Sequence, residues 1–339
     1  MRNKVSLKDI ALKVGVSTAA VSYALSAGKE GKVSEEVANR IKAAAKELNY
    51  QPNQIAKSLK MGRTNTIGLI IADVSNPFFA NIARVVEDEA KKHDYTVIFG
   101  SSDEKYERSC DLINVLLNRQ VDGLIVVPTE ASEDQILYLK EQKVPFVLID
   151  RYFPEISSSF VAIDNFKAAY DAVMHLAAAG RKRIGMLAYK TNLFHMQERE
   201  RGYQQALRDS GLSLSKSWLK EVKQSDIKNG MKAAIDEMLS TGDAVDALFF
   251  ATNTLAINGL KYIDSLNLKV PDDLAIVSFD EGEAFDFYYC PLTFVRQPVI
   301  DLGKRSVQLL LDQMSGSNGR ISQVLFEAEL VIRKSSGVK

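Results

Sequence analysis

Polar side chains follow most of the short apolar runs that lie beyond residue 63. The residues directly after these runs are Asp73, Ser101, Ser102, Asp103, Asp150, Asp164, Asn253 and Asp280. Carboxylates accept hydrogen bonds and amides both donate and accept them, so this set is suited to a sugar or another polyol. Each residue alone is also suited to cap a following helix, and Asp150 with Arg151 is compatible with a simple ion pair. Because such polar residues follow most of the apolar runs, a shared ligand site is favoured over separate helix caps.

Paired aspartates also raise the alternative of an enzyme, since two carboxylates roughly 5–10 Å apart can hydrolyse a glycoside. The chain contains no nucleophile-elbow motif and no Gly-rich phosphate loop. Its three histidines, His93, His175 and His195, lie in unrelated segments, and the two cysteines cannot by themselves form a zinc site or a disulfide framework. We therefore expect no enzymatic activity, no cofactor and no metal.

The elements that must position these side chains alternate between apolar runs and amphipathic stretches. Strands are predicted at 66–72, 95–100, 123–127, 146–149, 160–163, 184–188, 247–251 and 274–279, with helices such as 78–92, 166–179, 197–210 and 255–266 between them. This order predicts parallel sheets covered on both faces, which bind ligands at the carboxyl ends of their strands. Eight strands over residues 64–339 favour two lobes rather than one.

The charge of the chain is unevenly distributed. The 339 residues carry 43 Lys and Arg and 43 Asp and Glu, but residues 1–63 alone carry 12 basic and 5 acidic residues. A basic head on an acidic body suggests that the head meets a polyanion. No apolar run approaches the roughly 20 residues that span a bilayer, and the start lacks the apolar segment of a secretory signal. We expect a cytoplasmic protein.

Caps and apolar spacing predict three helices in the head. Ser6 with Asp9 forms a capping box, Gly15 ends the first helix, and Ser17 caps the second. Two short helices joined by a Gly-Val-Ser turn are typical of the helix-turn-helix, whose second helix enters the major groove of DNA. A third helix begins after Ser34. The alternative is a small helical bundle, which the positive charge of the head disfavours.

A short hinge segment, YQPNQIAKSLKMG, follows the head. Pro52 interrupts the chain, Asn53 is suited to start a helix, and Gly62 ends it. A helix of under ten residues is marginal alone, so it would form only when packed, for instance as two copies in a dimer on DNA. Leu59 would then be an apolar wedge at a minor-groove base step. The alternative is a plain linker with Leu59 packed on the body.

From Leu7 to Gly337 the chain resembles the lactose-repressor/galactose-repressor (LacI/GalR) family of bacterial transcription regulators. The matching stretches are SLKDIALKVGVSTAAVSYALS, VSEEVANRI, LNYQPNQIAKSLKMGRTNTIGLII, VSNPFFANI, VDGLIVVP, VPFVLIDR, VAIDN, RERGYQQAL, VSFDEGE, PLTFVRQPV and LVIRKSSG. The resemblance implies an all-α helix-turn-helix head with a hinge helix, joined to an α/β two-lobed periplasmic-binding-protein-like effector domain. The domains would be 1–50, 51–63 and 64–339, with an N-lobe at about 64–163 plus 296–325 and a C-lobe at about 164–293 plus 326–339.

The resemblance also implies which residues bind. The DNA-binding residues would be Ser17, Thr18, Ala19, Ser22, Tyr23, Asn53, Lys57, Leu59 and Lys60. The effector-binding residues would be Phe78, Phe79, Asp150, Asp164, His195, Arg199, Asn253, Asp280 and Gln297. The two phenylalanines would stack on a ring, and the planar group of Arg199 would match a carboxylate or paired hydroxyls.

The chain departs from the family pattern at several positions. Tyr23 stands where the family usually has Arg, and the loop after the second helix is about two residues longer. Thr254, Arg181 and Phe294 replace residues that are often Asp, His and Thr. The first two differences leave the operator sequence open, and Thr254 bears on the choice of effector.

We therefore expect a ligand-responsive transcriptional repressor that binds a near-palindromic operator as a homodimer. Its effector would be a sugar, a sugar acid or a sugar phosphate in the cleft between the lobes. No leucine-heptad tail follows Gly337, so a dimer is expected rather than a tetramer. The alternatives are a cytoplasmic sugar-binding protein without a transcriptional role and a sugar-acting enzyme.

Overall fold

The computed structural model describes residues 5–25, 32–50, 62–240, 242–316 and 320–337. The chain forms two compact units, Met1–Thr64 and Asn65–Lys339. The hinge segment, apart from its last residues, lies outside the described residues, as does most of the loop that follows the second helix. None of the helices in the described ranges has the length and apolar character needed to cross a membrane.

The head contains the three predicted helices, α1 (Leu7–Val14), α2 (Thr18–Ala24) and α3 (Glu35–Glu47). Asp9 accepts hydrogen bonds from the Ser6 amide and hydroxyl, both at 2.8 Å, and Gly15 takes the left-handed conformation that ends α1. One apolar face of each helix is buried in a shared core of Ile10, Ala11, Val14, Val21, Ile41, Ala44 and Ala45. The three-helix prediction is confirmed.

The first sheet of the body has six parallel strands. These are β1 (Thr66–Ile71), β2 (Thr96–Ser101), β3 (Gly123–Val126), β4 (Phe146–Ile149), β5 (Phe160–Ile163) and β11 (Gln323–Phe326), in the order β11-β5-β4-β3-β1-β2. Helices α4 (Pro77–Lys92) and α12 (Val299–Met314) cover one face, and α5 (Tyr106–Asn118) and α6 (Glu133–Glu141) cover the other. The inner strands are buried on both faces, as their unbroken apolar runs predict. We call this sheet with its helices the first lobe.

The second sheet also has six strands, and all but one run parallel. They are β6 (Ile184–Tyr189), β7 (Leu219–Val222), β8 (Ala247–Phe250), β9 (Ala275–Phe279), β10 (Thr293–Arg296) and β12 (Glu329–Val331), in the order β12-β10-β9-β8-β6-β7, with β12 antiparallel to β10. Helices α7 (Asn165–Ala178) and α8 (Phe194–Asp209) cover one face, and α9 (Ile227–Ser240), α10 (Asn253–Ser265) and α11 (Ala284–Phe287) cover the other. This is the second lobe.

Three connections join the lobes. The chain passes from the first lobe to the second between β5 and α7, returns between β10 and α12, and passes again between β11 and β12. Short 3-10 helices lie at Lys216–Trp218, Gln224–Asp226 and Lys334–Ser336.

The described part of the chain has four strands more than the eight predicted, namely β7, β10, β11 and β12. Three of these lie at sheet edges, and their sequences LKEV, QVLF and ELV carry polar residues because one side faces solvent. The apolar-run criterion missed these short polar edges, although it found the edge strand β2 and missed the buried inner strand β10. The predicted α/β class is nevertheless confirmed.

Candidate functional site

The Asp150 carboxylate lies directly after β4 and is almost completely enclosed. Its residue is 4% exposed and adopts a left-handed backbone with φ 69°. No described residue donates a hydrogen bond to this carboxylate, and the nearest cation, Arg151 Nε, lies 3.5 Å away without forming one. Burial raises the pKa of Asp150 to about 6, although Arg151 and Arg199 act in the opposite direction. The carboxylate is therefore buried at a cost.

Arg151 is held by a carboxylate that sequence reasoning did not select. Its two terminal nitrogens donate to the two oxygens of Glu104 at 2.5 and 2.6 Å, the bidentate geometry that guanidinium groups favour. The guanidinium also lies 5.6 Å from the centre of the Phe79 ring. The ion pair between Asp150 and Arg151, which the sequence left open as an alternative to a ligand role, is the longer of the two contacts that Arg151 makes with carboxylates.

Arg199, on α8, is the second buried cation of the pocket. Its Nε donates to Asn165 Oδ1 at 2.8 Å, one terminal nitrogen donates to the Ala251 carbonyl oxygen at 2.7 Å, and its plane lies 3.5 Å from the Phe279 ring centre. Burial lowers the pKa of Arg199, while Asp280 and Asp150 oppose that effect. These contacts fix the orientation of the guanidinium.

Asp280 follows β9 and also adopts a left-handed backbone, with φ 64°. It accepts a hydrogen bond from Gln297 Nε2 at 2.6 Å. Burial raises the pKa of Asp280, against the combined influence of Arg199 and Gln297. The carbonyl oxygen of the Gln297 side chain is buried and has no hydrogen-bond partner, so the pair presents an unused acceptor.

His195 lies one helical turn before Arg199 on α8. Its ring is buried and its Nδ1 atom has no hydrogen-bond partner. Burial, followed by the positive charges of Arg151 and Arg199, lowers the pKa of His195 well below its usual value. The ring is therefore neutral at neutral pH and offers hydrogen bonding rather than charge.

Two polar contacts cross between the lobes beside these residues. Asn253 Nδ2 lies 3.5 Å from Asn76 Oδ1, the atom that caps α4 by accepting from the Phe78 amide at 3.1 Å. The backbone N–H of Asn192 donates to Glu130 Oε1 at 2.7 Å. The carboxyl ends of the two sheets therefore face each other, as expected of parallel α/β lobes that share a ligand site.

The structure groups most of the predicted effector residues but separates one from them. Phe78 and Phe79 pack edge to face at 5.1 Å, and Asp150, His195, Arg199, Asp280 and Gln297 lie in one enclosed polar cluster. Asp164, by contrast, is half-buried and accepts from the Lys167 amide at 2.8 Å as the N-cap of α7. That is the helix-capping alternative, and an effector role for Asp164 stays a prediction.

Polar residues after other strands also form hydrogen bonds or ion pairs with residues of their own lobe. Asp73 accepts from the amide and hydroxyl of Ser75, Ser102 donates to the Ile71 carbonyl oxygen, and Asp103 pairs with Arg108. Within the described ranges, no group of His, Cys, Asp and Glu is arranged to hold a metal ion.

The candidate nucleic-acid interface is the start of α2. Ser17 caps this helix by accepting from the Ala20 amide at 3.1 Å, while Thr18 and Ala19 are exposed. Ser22 and Tyr23 are half-buried, and the Tyr23 ring lies 5.2 Å from Lys32 Nζ. The remaining predicted DNA-binding residues, Asn53, Lys57, Leu59 and Lys60, lie outside the described residues.

Comparison with known proteins matches both parts of the chain. Residues 6–53 match the family described as bacterial regulatory proteins, lacI family, and residues 173–336 match the periplasmic binding protein-like domain. The HTH-type transcriptional repressor CytR of Escherichia coli is 33% identical over 331 residues, which cover 98% of this chain and 96% of that protein. The ribose operon repressor of Haemophilus influenzae is 29% identical and covers 97% of this chain and 98% of its own length.

A solved structure has a similar fold. The lac repressor dimer bound to operator and the anti-inducer ONPF has a TM-score of 0.87 and covers 98% of this chain and 99% of that chain, at 24% identity. The helix-turn-helix head, the paired α/β sheets and the identity to CytR along nearly the full length lead to one conclusion. The chain belongs to the lacI family of bacterial regulatory proteins.

Proposed function

We propose that this protein is a ligand-responsive transcriptional repressor, without enzymatic activity, that binds a near-palindromic operator as a homodimer in the cytoplasm. The observation that carries the proposal is the presence in one chain of a helix-turn-helix head and a body with a buried pocket of unpartnered polar atoms. The head would comprise residues 1–50, the hinge 51–63 and the effector domain 64–339. We infer repression rather than activation because these relatives are named as repressors.

The start of α2 would read the operator. The first residues of a recognition helix contact base edges in the major groove, and Thr18 and Ala19 are the exposed residues there. Ala19 offers only a methyl group, which suits a thymine methyl and no hydrogen bond. Ser17, Ser22 and Tyr23 would supply further contacts. A wedge role for Leu59, with Lys60 beside it, would add bending at the centre of the site.

The pocket would supply the control. Its groups come from both lobes, so a ligand that contacts both stabilises the arrangement in which the lobes face each other. A ligand shifts an equilibrium only by its unequal affinity for the two states. In one arrangement the two hinge segments of the dimer would pair on DNA, and in the other they would separate. The contacts between Asn76 and Asn253, and between Glu130 and Asn192, would change with the arrangement.

The proposal is tested by selecting binding sites from random or genomic DNA with the full-length chain. A near-palindromic site should emerge, and its affinity should fall steeply with salt, by about 0.9 log units per neutralised phosphate for each decade. For a ligand-responsive repressor, a small molecule should then change the affinity for this site. Scrambled DNA serves as the control for sequence preference. If no preferred sequence emerges and the salt dependence is flat, a ligand-binding protein without a transcriptional role becomes the better description.

A further inference from the structure

The pocket between the lobes carries an excess of negative charge. Three carboxylates, those of Glu104, Asp150 and Asp280, face two guanidinium groups, and the burial of His195 keeps its ring neutral. A buried charge is tolerated only when it is compensated. An incoming anion would add a further negative charge to a site that already has more carboxylates than cations.

Both guanidinium groups already hold acceptors that belong to the protein. Arg151 gives both terminal nitrogens to Glu104. Arg199 is tied by hydrogen bonds to Asn165 and to the Ala251 carbonyl oxygen, and the charge of Asp280 already acts on it. A phosphate or carboxylate that displaced Glu104 from Arg151 would leave a buried carboxylate without its partner, which is the costly arrangement for a buried ion pair.

The unpartnered atoms of the pocket call for groups that donate as well as accept. Asp150 receives no hydrogen bond from any described residue, and 3.5 Å away the buried Arg151 Nε lacks an acceptor. A hydroxyl group satisfies both at once, because it accepts from the guanidinium and donates to the carboxylate. Gln297 Oε1 similarly needs a donor. A phosphate ester or carboxylate offers acceptors in place of donors.

We propose that the pocket takes a hydroxyl-rich ligand that carries no negative charge, and that Glu104 enforces this choice by occupying Arg151. This inference rests on the proposed function, because it names the class of effector that would act through the pocket. Among the sugar, sugar acid and sugar phosphate considered from the sequence, it selects the first. Glu104 is a positioning residue here, since it acts on the ligand through Arg151.

The test is isothermal titration calorimetry of the full-length protein with matched compounds. The sets are glucose, gluconate and glucose 6-phosphate; ribose and ribose 5-phosphate; and adenosine and its 5′-monophosphate. At least one uncharged member should bind, with an affinity about 100-fold above that of its anionic counterpart, since like charges brought together at an interface cost several kcal/mol. An anionic member that binds more tightly than its uncharged parent would overturn the proposal, as would failure of every uncharged member to bind.

Two variants test the role of Glu104. Glu104→Gln leaves the charge of Arg151 without its carboxylate partner. The ratio of the affinities for the uncharged and the anionic member should then fall at least about ten-fold, the effect of a single charge-assisted hydrogen bond. The matched control is Asp103→Asn, which removes the neighbouring carboxylate that pairs with Arg108 instead and should leave the preference unchanged. Equal behaviour of the two variants would overturn the assignment.

The operator measurements separate this inference from the proposed function. An uncharged ligand that binds without changing operator affinity would contradict the repressor mechanism and leave the pocket chemistry standing. An anionic ligand that binds and changes operator affinity would support the repressor mechanism and contradict the proposed pocket chemistry.

Discussion

Replacing Asp150 by Asn should make the ligand-free protein more stable at neutral pH. The folded pKa of about 6 lies above the ordinary value of 3.8. The folded state therefore binds the proton more tightly than the unfolded chain, and stability falls as the pH rises from 3.8 through about 6. At about 1.4 kcal/mol per pH unit, the ionised Asp150 costs about 3 kcal/mol at pH 7.5 and about 1 kcal/mol at pH 4.5. The amide removes this cost.

Thermal unfolding at two pH values measures the effect. For a unit of this size, 1 kcal/mol corresponds to about 2 °C, so Asp150→Asn should raise the melting temperature by about 6 °C at pH 7.5 and about 2 °C at pH 4.5. The control is Asp111→Asn, at an exposed position of α5, where surface substitutions change stability by about 0.5 kcal/mol or less. The same Asp150 variant should bind its ligand more weakly, because the amide accepts less strongly than the carboxylate.

Two outcomes would contradict the proposed cost of the buried carboxylate. If Asp150→Asn lowers the melting temperature at pH 7.5 while Asp111→Asn does not, the buried carboxylate stabilises the fold. Its contact with Arg151 then compensates its burial without a ligand. If the gain is equal at both pH values, the effect comes from packing and not from charge.

Three further changes test the head, the pocket and the helix packing. Leu59→Ala should weaken operator binding far more than binding to random DNA in a gel-shift titration, because a wedge acts only where the site is bent; equal losses would remove the wedge. Arg199→Lys keeps the charge but loses the planar hydrogen bonding, and should reduce ligand affinity about 10- to 100-fold by calorimetry while operator affinity stays within about three-fold. Gly202→Ala adds a Cβ that collides with the Phe166 carbonyl oxygen between α8 and α7. It should lower the free energy of unfolding by about 1–3 kcal/mol. The control Gly242→Ala, whose Cβ meets nothing within 4 Å, should leave that free energy unchanged.

The sequence predicts this architecture well because buried parallel strands leave a strong local signal. Apolar runs such as those of β3 and β4 have both faces buried, so every residue reads as core. The polar residue after such a run marks the carboxyl end of a strand, which is why Asp150 and Asp280 are found without knowledge of the structure. The short edge strand β11, with the sequence QVLF, lacks that signal.

The residues that sequence reasoning missed owe their roles to distant partners. Glu104 meets Arg151 across 47 positions of the chain, and Asn165 meets Arg199 across 34. Nothing local distinguishes Asn165 from the capping residue Asp164 before it, yet only the side chain of Asn165 reaches the arginine. Which of two adjacent polar residues serves a helix end and which serves the pocket is decided by tertiary packing.

The three crossings between the lobes constrain how the chain is made as well as how it works. The first sheet is completed only by β11, whose Leu325 pairs with Ala162, and one of its faces is covered by α12 through Leu302, Val307 and Leu310. A growing polypeptide that has emerged only as far as β5 therefore holds five of the six strands while the apolar face for α12 is still exposed to solvent. The head carries its own core and is free to fold early during synthesis. The body cannot complete its first sheet until nearly its last residues are made. Until then the nascent chain exposes apolar surface of the kind that promotes aggregation.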